Sequence, residues 1–245
     1  MKIFLAGTFG EKKDIDIVKR SDYILESFFY FKDWQTDLLT TTKDFLLDSG
    51  AYTFIQGKSD VNWNDYIDKY SFFVRSNGIK HYFELDIDSI VGYEKVKKFR
   101  KELENKTQKQ VIPVWHRNRG IEDYKRMCEE YNYIAIGGLA IKEIVPSEYK
   151  ILPYLIDEAH KRGAMVHGLG FTKVSQLHKY HFDSVDSTRW NCARFGRLGY
   201  FDGKTIRSVD KRKDGLKLKG RSECDSVRYS LQEWIKFQKW AEAHL

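Results

Sequence analysis

HYFELDIDSIVGYEKVKKFRKELENKTQKQVIPVWH, residues 81–116, contains one complete structural unit. HYFELDID (81–88) and VIPVWH (111–116) are short runs of aromatic and branched residues. Between them, YEKVKKFRKELEN (93–105) sets apolar residues at helical spacing. Two strands joined through a helix are the repeat of a parallel sheet, because parallel neighbours need a long crossover. The same alternation extends in both directions. KIFLAGTF (2–9), DYILESFFY (22–30) and FLLDSGAYT (45–53) precede the unit; YIAIGGLA (133–140), MVHGLGFT (165–172) and FDSVDSTR (182–189) follow it. YIDKYSFFVRSN, IEDYKRMCEEY and SEYKILPYLIDEAHKRG supply further helical stretches, the last with a stop at Gly163. Eight strand candidates alternating with helices predict an α/β fold of the (β/α)8 TIM-barrel type. The run 22–30 is the weakest strand, since its apolar spacing also suits a helix. A closing helix is expected over 225–243, packing Val227, Leu231, Trp234, Ile235 and Ala241 on the barrel's outside.

The 245 residues are 42% hydrophobic and 15% aromatic, which allows a sizeable core and excludes a disordered chain. With no linker, repeat or low-complexity tract, one domain spanning 1–245 is expected. No apolar run reaches membrane-spanning length and no signal peptide is evident, so a soluble, cytoplasmic protein is expected. Cys128, Cys192 and Cys224 are too scattered for a disulfide framework or a zinc pair. His178 and His181 lack an acidic or Cys partner nearby, so no metal site is read. The net charge of +7 is concentrated: residues 189–221 carry eleven Lys and Arg against Asp202, Asp210 and Asp214. A basic segment of that kind suits a polyanionic substrate, although a solvated loop would look the same.

Barrel enzymes gather their chemistry at the C-terminal ends of strands. Those ends present Asp48-Ser49-Gly50, Asp86-Ile87-Asp88, Trp115-His116, Gly137-Gly138-Leu139, His167-Gly168 and Asp183. Carboxylates converging on one mouth, beside glycines that admit a flat ligand, read as an enzyme pocket. No cofactor is implied.

DSGAY (48–52), IGGLA (136–140), HGLGFT (167–172) and FDSVDSTR (182–189), in that order, resemble signature segments of the tRNA-guanine transglycosylases, and YFDGK (200–204) resembles the hairpin that follows their nucleophile. The resemblance covers roughly residues 45–205 and implies a TIM barrel that exchanges a guanine in nucleic acid for a free 7-deazaguanine. Members acting on tRNA hold zinc in a C-terminal subdomain with three Cys and a His. Only Cys224 lies in that region here, so the chain most resembles the compact, zinc-free branch of phages and bacteria that modifies DNA (DpdA type). DNA is therefore the expected partner, with tRNA the alternative.

The resemblance implies a role for each residue. Asp183 takes the position of the nucleophile, a carboxylate that is ionised at neutral pH and attacks C1′ without a separate base. Asp48 takes that of the proton shuttle, and Tyr52 that of an aromatic stacked on the base. Asp86 corresponds to the carboxylate that accepts from the N1–H and 2-amino groups of guanine. Gly137, Gly138 and Leu139 supply backbone contacts. Trp115 stands where the tRNA enzymes use a glutamine against the base oxygen and His167 where they use a methionine against the ring, so His116 or His167, beside Gly168, either replaces those contacts or is a satisfied loop histidine. Asp186 is read as an ion-pair partner for Arg189. Arg189, Arg194, Arg197, Lys211, Arg212 and Lys213 are expected to hold phosphates. Other readings stay open: a base-excising glycosylase using Asp183, a nucleic-acid-binding barrel without catalysis, or a metabolic barrel with a small phosphorylated substrate.

Overall fold

The computed structural model describes residues 1–7, 12–57, 61–171, 173–210 and 223–245. Its eight-stranded sheet comprises β1 (Lys2–Ala6), β2 (Tyr23–Ser27), β3 (Asp44–Asp48), β4 (His81–Tyr82), β5 (Val114–Trp115), β6 (Tyr133–Ile136), β7 (Met165–Gly168) and β8 (Ser184–Ser187). The order is β4-β3-β2-β1-β8-β7-β6-β5, and every pairing is parallel. A parallel bridge from Phe83 to Ile112 links the two ends of that order; Ile112 N–H donates to Tyr82 O at 2.8 Å and Glu84 N–H to Ile112 O at 3.1 Å. The sheet thus curls back on itself in the manner of a (β/α)8 barrel.

Each strand forms where the sequence places it, including β2, but each is shorter. The run 45–53, for example, ends its strand at Asp48, because Gly50 turns left-handed at φ +83° and starts the helix Ala51–Ile55. Past the strand ends, described residues of these runs such as Tyr30, Tyr52, Asp86, His116, Gly138 and Leu169 build the mouth.

Side-chain alternation divides the strands into two faces. Phe4, Ala6, Leu25, Leu46, Phe83, Val114 and Ala135 form an inner cluster. Ile3, Leu5, Ile24, Leu47, Ile134 and Val166 face the surrounding helices. The helix Trp63–Ser76 buries Ile67, Tyr70, Ser71 and Val74, one stripe at 3.6-residue period, and Asn62 caps it by accepting from Asp65 N–H at 3.3 Å. Its Tyr70 hydroxyl donates to Phe83 O at 2.9 Å, tying the helix to the strand ends.

The helix Glu223–His244 buries Val227, Leu231, Trp234, Ile235 and Ala241 as expected. Its Gln238 is fully buried: Nε2 donates to Ile3 O (2.7 Å) and Tyr23 O (2.8 Å), while Oε1 accepts from Ser21 Oγ (3.0 Å) and Asp22 N–H (2.8 Å). One amide satisfies four groups at the start of the chain. A two-stranded hairpin, β9 (Arg197–Phe201) and β10 (Ile206–Asp210), precedes this helix. Among the described residues no helix is long and apolar enough to cross a membrane.

Candidate active site

A largely apolar pocket of about 270 Å³ opens at the C-terminal end of the sheet, lined by Asp48, Tyr52, Asp86, His116, Gly138 and Asp186 together with Leu25, Ile55, Ile141, Leu169 and Thr188. Asp48 is the last residue of β3. Its Oδ2 accepts from Gly50 N–H at 2.9 Å, a local turn that holds the carboxyl in place. Burial, with the negative charges of Asp86 and Asp186 nearby, pushes Asp48 up to about 7. Gly50 has no substitute here, because a Cβ would lie 2.7 Å from Phe29 Cβ. Tyr52, on the helix that follows, keeps 58% of its surface exposed beside the pocket.

Asp86 and His116 follow β4 and β5. His116 Nε2 lies 3.2 Å from Asp86 Oδ2 and Nδ1 lies 2.9 Å from Glu143 Oε2. Desolvation pulls the ring's pKa down, but the two carboxylates outweigh it and hold it at about 10. The ring is an imidazolium at neutral pH, with both N–H groups committed to carboxylates. His116 therefore carries Asp86 rather than offering a free edge to a ligand. Burial pushes Asp86 up, opposed by His116. Gly137 makes room for this pair: a Cβ there would fall 2.8 Å from His116 Cε1 and 2.8 Å from Val114 Cγ1.

Asp88, which the sequence left without a role, is gripped by Arg119 through Nε at 2.7 Å and Nη2 at 2.6 Å. Arg119 also reaches Glu84 at 3.0 Å, and Arg100 Nε meets the other Glu84 oxygen at 2.6 Å. Arg119 and Glu84 are almost fully buried, so this chain of ion pairs braces the loop after β4 from behind. Trp115 belongs to the same support, with its indole N–H donating to Gly120 O at 2.8 Å.

The expected nucleophile requires correction. β8 pairs with β1 through Lys2↔Ser184 and Phe4↔Asp186, so Asp183 stands before the strand, at the opposite end from the pocket. There its Oδ2 accepts from Val166 N–H at 2.7 Å and meets His160 Nε2 at 2.9 Å. Residues three apart on a strand face opposite sides. Asp183 thus shares the outward parity of Val185, while Asp186 points inward and lines the pocket. Asp186 Oδ1 accepts from Gly170 N–H at 2.5 Å and lies 3.1 Å from His167 Nε2, so its described partners do not include Arg189.

His167 also differs from expectation. It is fully buried inside the sheet against Phe4 and Phe83, below the pocket floor rather than on its wall. Gly168 packs on Phe182 and Leu139 is buried; neither lines the pocket, whereas Gly138 does. Arg189 and Arg197 line a separate cavity of about 40 Å³ that also includes Ser208 and Trp234, and Arg194 is exposed. Lys211, Arg212 and Lys213 lie outside the described residues. The residues missed from sequence are Asp186 as a pocket carboxylate, Glu143, and the brace of Glu84, Arg100 and Arg119. For Asp186 a signal existed: Val185 must face the helices, so its neighbours Ser184 and Asp186 must face inward.

Among the described residues no group of three or more His, Cys, Asp or Glu is placed to hold a metal ion. Compared with known proteins, the chain matches no protein-family model and no curated protein.

Proposed function

We propose that this pocket exchanges guanine in a DNA strand for a free 7-deazaguanine through a covalent intermediate on Asp186, in the manner of the guanine transglycosylases whose signature segments the chain resembles. The reading rests on Asp48 and Asp186, two inward carboxylates from β3 and β8 on one apolar pocket of base-like size. Asp186 attacks C1′ and the C1′–N9 electron pair leaves with the base. Asp48, which keeps its proton up to about pH 7, gives that proton to the departing purine. An acid so placed is worth roughly 10²–10⁴-fold in rate. The incoming base then returns a proton to Asp48 and attacks C1′, which frees Asp186. Two displacements retain configuration, as in retaining glycosidases.

Asp86 accepts from the N1–H and 2-amino groups of the base, steadied by the His116 imidazolium. Tyr52 offers an exposed ring for stacking. The basic segment, including Arg189, Arg194 and Arg197, holds the phosphates of an extruded nucleotide. The finer fold assignment, a single-domain (β/α)8 barrel without the zinc subdomain, belongs to the same proposal.

Labelled guanine incubated with the protein and either duplex DNA or tRNA tests the reading. Label entering DNA supports it. Label entering tRNA alone transfers the substrate assignment to tRNA, and label entering neither overturns base exchange.

A further inference from the structure

We propose that Tyr133, Ser184 and His167 form a buried positioning relay that fixes Asp186 and reserves its Oδ2 oxygen for attack. The proposal rests on the base-exchange reading above and adds three residues and one atom to it. His167 Nδ1 lies 2.6 Å from Ser184 Oγ, His167 Nε2 lies 3.1 Å from Asp186 Oδ1, and Ser184 Oγ is bonded in turn to the Tyr133 hydroxyl. His167 and Ser184 are buried, on inward positions of β7 and β8 that pair directly.

The direction of the chain follows from its two ends. Gly170 N–H is a donor only, and it reaches the same Oδ1 at 2.5 Å. Oδ1 is thus a twofold acceptor, and the ring nitrogen facing it supplies a proton. With the ring's hydrogen on Nε2, Nδ1 accepts from Ser184, and Ser184 accepts from Tyr133. Each hydroxyl then donates once and no buried donor is wasted. The far hydroxyls set the tautomer, as outer groups do for a catalytic or metal-bound histidine.

Two donors therefore hold Oδ1, while no bond reaches Oδ2 among the described residues. When Oδ2 bonds to C1′ and the purine leaves with the C1′–N9 pair, Oδ1 becomes the carbonyl oxygen of the aspartyl ester. The same two donors face it at that stage. In the second displacement the Oδ2–C1′ pair returns to Oδ2, and the negative charge spreads through the carboxylate onto Oδ1, which is already hydrogen-bonded. The relay thus makes Asp186 a better leaving group, and it acts chiefly on breakdown of the adduct.

The test uses the full chain with a guanine-bearing oligonucleotide, with adduct followed on denaturing gels and turnover followed with free base. His167→Phe should lower kcat by about 10–100-fold with KM for the free base little changed, and should slow adduct decay on addition of base by a similar factor. His167→Gln should recover part of the loss, because its amide can donate from near the Nε2 position. Tyr133→Phe and Ser184→Ala should shift decay in the same direction by smaller factors, with thermal unfolding near wild type. These hydroxyl deletions decide the question if His167→Phe does not fold. Wild-type decay in all of these variants overturns the relay while leaving base exchange intact. If the unmodified protein forms no adduct with any guanine-bearing strand, base exchange itself fails and the relay falls with it.

Discussion

On the proposed reading, three aspartates differ in role by where each strand leaves them. Asp183→Asn should leave exchange nearly intact and cost about 1 kcal/mol of stability, because it loses only a half-exposed hydrogen-bonded site at the strand start. Asp186→Asn should reduce exchange by roughly 10³-fold or more with the fold unchanged. Paired rate assays decide between them; a dead Asp183→Asn beside an active Asp186→Asn would reverse the assignment. Asp48 adds a pH signature. Its folded-state pKa of about 7 lies above its unfolded value of 3.8, so the folded protein holds a proton that the unfolded chain releases. Stability linked to Asp48 is therefore complete below about pH 4 and declines as pH rises through 7. Asp48→Asn should thus raise the melting temperature relative to wild type at pH 8 and lose that advantage near pH 4, while slowing exchange at both. Melting curves at the two pH values suffice, and an equal shift at both would remove the buried acid from the account.

At the scale of elements, the strands were legible and their ends were not. Runs such as YIAI and FLLD are buried on both faces and can be little else, so all eight strands fall where the apolar runs lie. The pocket residues occupy the C-terminal parts of these runs, at or just past the strand ends, where apolar patterning no longer fixes which residue faces inward. Three residues separate Asp183, before the strand, from Asp186, which lines the pocket, and that odd step reverses the face. His167 is expected at the mouth because it ends an apolar run and the resemblance sets it against the base, whereas its register against Ser184 puts it inside. The brace behind β4 was invisible because Glu84 meets Arg100 and Arg119 only after folding. Glu84→Gln would leave two buried guanidinium groups short of charge and should cost about 3 kcal/mol or more in urea unfolding. A change below about 1 kcal/mol would show that the brace behaves as an exposed ion pair. Gly137→Ala is the subtler probe of the same region. Its methyl must displace His116 or Val114, so KM for the base should rise more than kcat falls.

For the whole molecule, charge is distributed so that residues 189–221 are strongly basic and the remainder is close to neutral. Replacing Lys211, Arg212 and Lys213 together by Ala should flatten the slope of log affinity against log salt on duplex DNA by roughly two to three. Chemistry at Asp186 on a short single strand should survive. An unchanged slope would reduce the segment to a solvated loop. The Gln238 amide has a consequence of another kind, concerning the order of assembly. It joins Ile3, Ser21, Asp22 and Tyr23 to a helix more than 200 positions later, and β1 also waits for β8 as its second neighbour. A nascent chain leaves the ribosome at about 5–20 residues per second, so β1 spends on the order of ten seconds or more with an open edge, and Ile3 and Tyr23 as long without the Gln238 amide at their carbonyls. During synthesis β1, made before the other seven strands, is among the last to gain both neighbours, and it is the stretch on which a chaperone has longest to act.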